Sequence, residues 1–219
     1  MIVLPPGYLP LSLLSSEPFL ISGVPIMTLF RLTSRRLLLQ LSFAVIGCLS
    51  FLSVANAAEP ITEAEVNAAQ QAWCDGLVKI GKVHKEGGDY KAVANQVLDD
   101  LYDYKEGKVF FKPTLAFGKN TFRPTREGAL SYFVGGSKEF PDDSGFALKN
   151  WVKVRYDNNA ADNGIQIHGD LAITMGNVYL TNAKGDEVMV DKTFVFRRGK
   201  DGKLRLCVHK SALPFDPKN

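Results

Sequence analysis

The chain has 219 residues, of which 46% are hydrophobic and 22% charged, with 26 basic side chains against 23 acidic ones. Setting aside Glu17, Arg31, Arg35 and Arg36, which lie in an apolar leader, leaves 23 against 22, so the remainder has no electrostatic footprint of a nucleic-acid binder. That remainder, residues 58–219, has the size of one domain and is long enough to bury a real core.

Residues 1–26 contain no Lys or Arg and hold Pro5, Pro6, Pro10, Pro18 and Pro25. They read as a start-site artefact upstream of Met27, too proline-broken for a membrane helix of ~20 residues. Residues 27–57 then read as a signal peptide. A short basic stretch ends at Arg36, Leu37 to Val54 is almost wholly apolar, and Ala55-Asn56-Ala57 supplies the small residues a signal peptidase needs. Cleavage near Ala57 predicts a periplasmic or secreted protein with no membrane span in its mature part. Ser34-Arg35-Arg36 lacks the rest of a twin-arginine address, whereas Val45-Ile46-Gly47-Cys48 allows an alternative, a lipoprotein anchored at Cys48.

Thr62-Glu63-Ala64-Glu65 is a capping box opening a helix whose apolar stripe is Val66, Ala69, Trp73, Leu77, Ile80 and His84, ended by Gly87-Gly88. Asp89 caps a second helix with Tyr90, Val93, Ala94, Val97, Leu98 and Leu101 on its apolar face. Lys108 to Lys112 is a short strand stopped by Pro113, and Thr125 to Phe133 a short third helix closed by Gly135-Gly136. From Phe146 the periodicity switches to two. Strands are expected at Trp151–Tyr156, Ile165–His168, Leu171–Thr181, Val188–Arg198 and Leu204–Ser211, with turns at Gly169-Asp170, Lys184-Gly185 and Asp201-Gly202. Helices followed by an antiparallel meander predict an α+β domain with the N-terminal helices packed on one face of a curved sheet.

Alternation across Asp201-Gly202, with an even loop, puts Lys192, Phe194 and Phe196 on one face with Arg205, Cys207, His209 and Ser211. This mixed face suits a ligand pocket, capped from the first helix by Trp73. Val195, Leu206 and Val208 then form an aliphatic outer face suited to a homodimer contact. His209 is the candidate for acid–base work, against the alternative of a histidine that merely satisfies a neighbouring strand or helix. Lys192 either binds an anion or snorkels to water, and Trp73 either caps the pocket or is plain core. Asp191 and Asp170 are further candidate bases, Asp170 reading better as a turn residue. His168 belongs at the rim, His84 at a helix end, Arg126 and Glu127 in a first helical turn, and Asp142-Asp143 in a loop. In an oxidising compartment Cys74 and Cys207 suggest one disulfide, against the alternative of two buried thiols. No metal site is expected, because the cysteines and histidines have no zinc spacing, and no cofactor is called for.

Helix–helix–short helix–meander order resembles the nuclear transport factor 2-like superfamily of cone-shaped (cystatin-like) α+β domains. So do the strand Ile167-His-Gly-Asp-Leu-Ala-Ile-Thr-Met-Gly176 and the closing pair from Thr193 to Pro214. More narrowly the chain is similar to SnoaL-like proteins and to the association domain of calcium/calmodulin-dependent kinase II. Many of those end in a strand with His-His-Ser-Ser or His-x-His before a proline, where this chain reads His209-Lys210-Ser211-Ala212-Leu213-Pro214. The resemblance implies an open cone between sheet and helices, and a dimer formed through the sheet, but no single activity. Phosphoribosyl-AMP cyclohydrolase, a label sometimes given to exported relatives, needs zinc and magnesium motifs that two separated cysteines do not supply. The expected function is binding of a small, mostly apolar molecule in the cone, with or without acid–base chemistry at His209. The alternative is a non-catalytic association module.

Overall fold

The computed structural model describes residues 59–217. The start-site, signal-peptide and Cys48 readings all lie outside them. Among the described residues no helix is long and apolar enough to cross a membrane.

Helix α1 (Glu63–Lys85) begins at the expected capping box, the Thr62 side chain accepting from the Glu65 amide and the Glu65 carboxylate from the Thr62 amide. Arg198 also binds the Glu65 carboxylate at 2.9 Å. That contact first, then the Thr62 amide, holds its pKa down to about 2. The buried stripe includes Val66, Trp73, Cys74, Leu77 and Ile80, while His84 sits outside it, edge-on to Tyr90. Gly81 is required where α1 crosses the turn at Phe146–Leu148, because a Cβ there would lie 2.7 Å from the Ala147 carbonyl oxygen. Helix α2 (Tyr90–Leu101) is capped by Asp89, and α3 (Arg126–Val134) by Thr125, ending at Gly135 with φ 67°.

The sheet comprises β1 (Phe110–Lys112), β2 (Trp151–Asp157), β3 (Ile165–His168), β4 (Leu171–Asn182), β5 (Glu187–Arg198) and β6 (Leu204–Ala212). Its order is β1-β6-β5-β4-β2, with β3 also paired to β4. Strand β4 therefore changes partner along its length, from β3 at Leu171–Thr174 to β2 at Asn177–Asn182. Gly176 lies at the changeover, where a Cβ would meet the Asp157 carbonyl oxygen at 2.3 Å. The meander is antiparallel as expected, but β1 joins β6 in parallel, a long-range pairing with no local signal. The architecture is thus α+β, with helices packed on one face of an antiparallel-rich sheet. Phe111, Phe194, Phe196, Leu77, Ile80 and Leu98 fill the space between, each contributing about 1.5–3 kcal/mol by leaving water.

The final hairpin departs from even parity. Arg198 pairs with Leu204, leaving residues 199–203 in the turn, an odd loop. A bulge between Val195 and Phe196 restores the inward phase, so that Phe196 faces Leu206 while Phe194 faces His209 and Lys192 faces Ser211. Leu206 is consequently buried in the core rather than part of the outer aliphatic face. Arg205 leaves the inner set and pairs with Asp201. Cys207, the bulged residue, is half-buried and points its thiol at the Val195 carbonyl. Cys74 and Cys207 are both free thiols. Cys74 lies near Lys192 and Cys207 near Arg197 and Asp103, and the disulfide suggested between them is absent.

Candidate active site

The end of α2 is tied to β6 and carries the first polar group of the site. Tyr102 bridges Leu206, the Asp103 amide donates to the Leu206 carbonyl, and the buried Asp103 carboxylate accepts from Arg197 Nε at 2.8 Å. This holds the Tyr102 ring over the inner face of β6, where His209 projects. Tyr102 Oη lies 2.8 Å from His209 Nδ1, and His209 Nε2 lies 3.1 Å from Lys192 Nζ. Trp73, midway along α1, donates its indole N–H to Tyr102 Oη at 2.9 Å. The imidazole is enclosed by rings. Phe111, its register partner on β1, stacks at 4.4 Å, and Phe194 and Trp73 meet it edge-on at 4.7 and 5.5 Å.

The proton positions in this chain follow from what each group can do. An indole N–H only donates, so Tyr102 Oη accepts from Trp73 and its own hydrogen is available to His209 Nδ1. A neutral imidazole then carries its hydrogen on Nε2 and donates to Lys192 Nζ. In this arrangement Lys192 accepts as a neutral amine. Burial points the same way: it pushes the Lys192 pKa down to about 7, helped by Lys112 and Lys210 and opposed by Cys74 and Asp191. Burial, and then the positive charge of Lys192 when it is protonated, hold His209 well below its ordinary 6.5. Burial also raises Tyr102 well above 10. Lys192 does not snorkel; it is 2% exposed, with Nζ 4.4 Å from the centre of the Trp73 ring and His209, not a carboxylate, as its polar partner.

Two residues along β6, Ser211 anchors a second polar group on the same face. Its hydroxyl lies 3.2 Å from the Asp191 carbonyl and 2.7 Å from Thr114 Oγ1. Tyr132, from α3, brings its hydroxyl to Thr114 and Leu115; burial pushes its pKa up to about 12. An apolar cavity of about 220 Å³ opens beside Thr114, between Leu115, Phe146, Trp151, Val190 and Leu213. Val190 precedes Lys192 by two on β5, and Thr114 bonds Lys192's cross-strand neighbour, so the cavity ends one residue pair short of the amine.

The structure therefore joins Trp73, Lys192, Phe194 and His209 in one buried cluster, with Phe196 against Phe194 one step further in. These side chains are core as well as site, and the cavity wall passes to Thr114 and its neighbours. The other candidates stand apart. Asp191 pairs with Lys210 at 2.5 Å, Arg126 pairs with Asp99, and His168, Asp170 and Glu127 are exposed. Asp143 is an anchor rather than a loop acid, accepting from the buried Arg123 at 2.9 Å and from Ser131 at 2.7 Å. Tyr102, Thr114 and Tyr132 escaped sequence reasoning because each comes from a different element. Among the described residues no group of three His, Cys, Asp or Glu side chains is placed to hold a metal ion.

Comparison with known proteins gives the family. The family model for metal-independent carbonic anhydrase matches residues 64–213. A metal-independent carbonic anhydrase of Nostoc sp. (strain PCC 7120 / SAG 25.82 / UTEX 2576) is 50% identical over 158 residues, 71% of this chain and 75% of that protein. The crystal structure of a cyanobacterial iota-carbonic anhydrase complexed with bicarbonate is also 50% identical, covering 72% of this chain and 94% of that one with a TM-score of 0.69. A structure described as a calcium/calmodulin dependent protein kinase II association domain from Xanthomonas campestris is 24% identical over 73% of this chain and 91% of its own, with a TM-score of 0.44. With its own residues matched over nearly the whole described domain, the chain belongs to the metal-independent carbonic anhydrase family.

Proposed function

We propose that this protein catalyses the reversible hydration of carbon dioxide to bicarbonate, and that carbon dioxide is the small apolar molecule its cone admits. The observation that carries the reading is the bicarbonate complex of a structure half identical to this chain over the same domain. The site suits that chemistry. Carbon dioxide has no charge, so an apolar cavity at the Thr114 rim admits it without a desolvation penalty. Adding water to its carbon puts charge on oxygen, and the hydroxyls of Thr114, Tyr132 and Ser211 are grouped where donors to such an oxygen are needed. The reaction releases one proton, and His209 is an uncharged nitrogen base on the same face of β6.

The test is oxygen-18 exchange between carbon dioxide and water, followed by mass spectrometry. Ser211→Ala and Thr114→Ala should each lower the rate on the order of 10²-fold, the usual effect of deleting one donor to a developing oxyanion, with unfolding transitions close to that of the parent. Exchange no faster than in buffer for the parent protein would sink the reading.

The homodimer is proposed through the outer face of the sheet, with its membership revised. Ile173, Val195, Val208 and Phe110 form one cross-strand row there, and Met175 and Phe110 are 56% and 72% exposed. Light scattering at micromolar concentration should give twice the protomer mass; a monomer would reject the pairing.

A further inference from the structure

Lys192 is a buried basic member of the cluster that the proposed reaction does not use. We propose that Lys192 is a positioning residue for His209: its protonation state decides which imidazole nitrogen carries the hydrogen, and hence which nitrogen is the hydrogen-bond acceptor. The argument is geometric. Lys192 Nζ and Tyr102 Oη occupy the two ends of the imidazole at 3.1 and 2.8 Å, and Trp73 fixes the direction of the Tyr102 hydroxyl. With the amine neutral, the hydrogen sits on Nε2 and Nδ1 accepts from Tyr102. An ammonium at Lys192 cannot accept. It would donate to Nε2 and move the ring hydrogen to Nδ1, which would then donate to Tyr102 Oη and displace the tyrosine's own hydrogen. The ring has two arrangements, and the amine selects between them.

The surroundings leave this amine free to change state near neutrality. Trp73 and Cys74 face it from α1, Phe194 from β5, His209 and more distantly Lys210 from β6, and Lys112 from β1. Asp191, next in sequence, spends its carboxylate on Lys210, while Tyr156 from β2 bonds only the Lys192 backbone carbonyl. Among the described residues no carboxylate clamps the ammonium form, and burial brings its pKa to about 7.

Only the activity part of the test rests on the carbonic anhydrase reading. In the intact protein, nitrogen and carbon NMR should follow the His209 ring nitrogens and the Lys192 Cε across about pH 5.5 to 9, spanning the ordinary histidine and perturbed lysine ranges. The expected result is a Lys192 titration near 7 and a His209 exchange from Nε2–H to Nδ1–H with the same midpoint. A Lys192 that stays charged throughout, or a His209 tautomer unmoved while Lys192 titrates, overturns the proposal whatever the enzyme does. In the carbon dioxide assay, Lys192→Met should abolish the inflection near that pH. Lys192→Arg, charged at every pH, should hold His209 in the Nδ1–H form and flatten the profile. An unchanged inflection in a folded Lys192→Met protein also overturns the proposal. Inactivity of the parent protein with the NMR result intact would instead remove the carbonic anhydrase reading and leave the lysine–histidine coupling standing.

Discussion

Lys192→Met should make the protein more stable at pH 7 and less stable near pH 11. The unfolded lysine keeps its proton up to the ordinary 10.5, whereas the folded one releases it at about 7. Between those values the unfolded chain binds more protons, so stability rises with pH across that window. A depression of that size is worth roughly 5 kcal/mol at its lower end. Methionine keeps most of the volume and removes that penalty, but it leaves the His209 Nε2–H without its acceptor, which costs about 1–3 kcal/mol. The net expectation is a gain of roughly 2–4 kcal/mol at pH 7, turning into a loss once the parent amine is neutral in both states. Urea unfolding at the two pH values measures both signs. Equal pH slopes for parent and variant would show that Lys192 keeps its proton when folded.

His209→Ala should unfold the site rather than leave an intact, inactive protein. The sequence placed His209 on a mixed face suited to a ligand pocket. The structure buries it instead, with Phe111 stacked on it and Phe194 and Trp73 at its edges. Truncation leaves a ring-sized hole and deprives Tyr102 Oη and Lys192 Nζ of their shared partner. Such holes typically cost about 3–5 kcal/mol in a core, before the unpaired polar groups are counted. His209→Gln fills more of the space and should retain the fold while losing catalysis. The urea midpoints of the two variants separate packing from chemistry; an alanine variant as stable as the parent would mean that the ring is not the packing element described here. Acid should weaken the parent in the same place. The folded histidine resists the proton that the unfolded one accepts at 6.5, so stability falls as pH drops below that value.

Much of this site was readable before the fold. Alternation along β5 and β6 placed Lys192, Phe194, Phe196, His209 and Ser211 on the helix side, and the helical spacing of Trp73 brought it to the same layer. The same alternation misplaced Arg205, Leu206 and Cys207, because an odd turn followed by a bulge looks, from sequence, like an even turn without one. Strand alternation also cannot report depth. It gave Lys192 a route to water and made His209 a cavity lining, whereas Phe111, brought alongside by the parallel β1–β6 pairing, seals the ring from the side. The hydroxyl group of the site was hidden for a related reason: Thr114 follows β1, Tyr132 lies in α3 and Ser211 in β6, and only tertiary packing makes them neighbours. Nothing in their spacing distinguishes carbon dioxide hydration from the other chemistries this kind of cone supports.

The account depends most directly on catalysis by Thr114, Tyr132, Ser211 and His209 themselves. The deciding measurement is oxygen-18 exchange between carbon dioxide and water, made on protein dialysed against a strong chelator, with and without zinc added back. Exchange far above the buffer rate is expected in the chelated protein, unchanged by zinc and lowered on the order of 10²-fold in Ser211→Ala. Exchange that disappears with the chelator and returns with zinc, or that survives in Ser211→Ala at the parent rate, would contradict it.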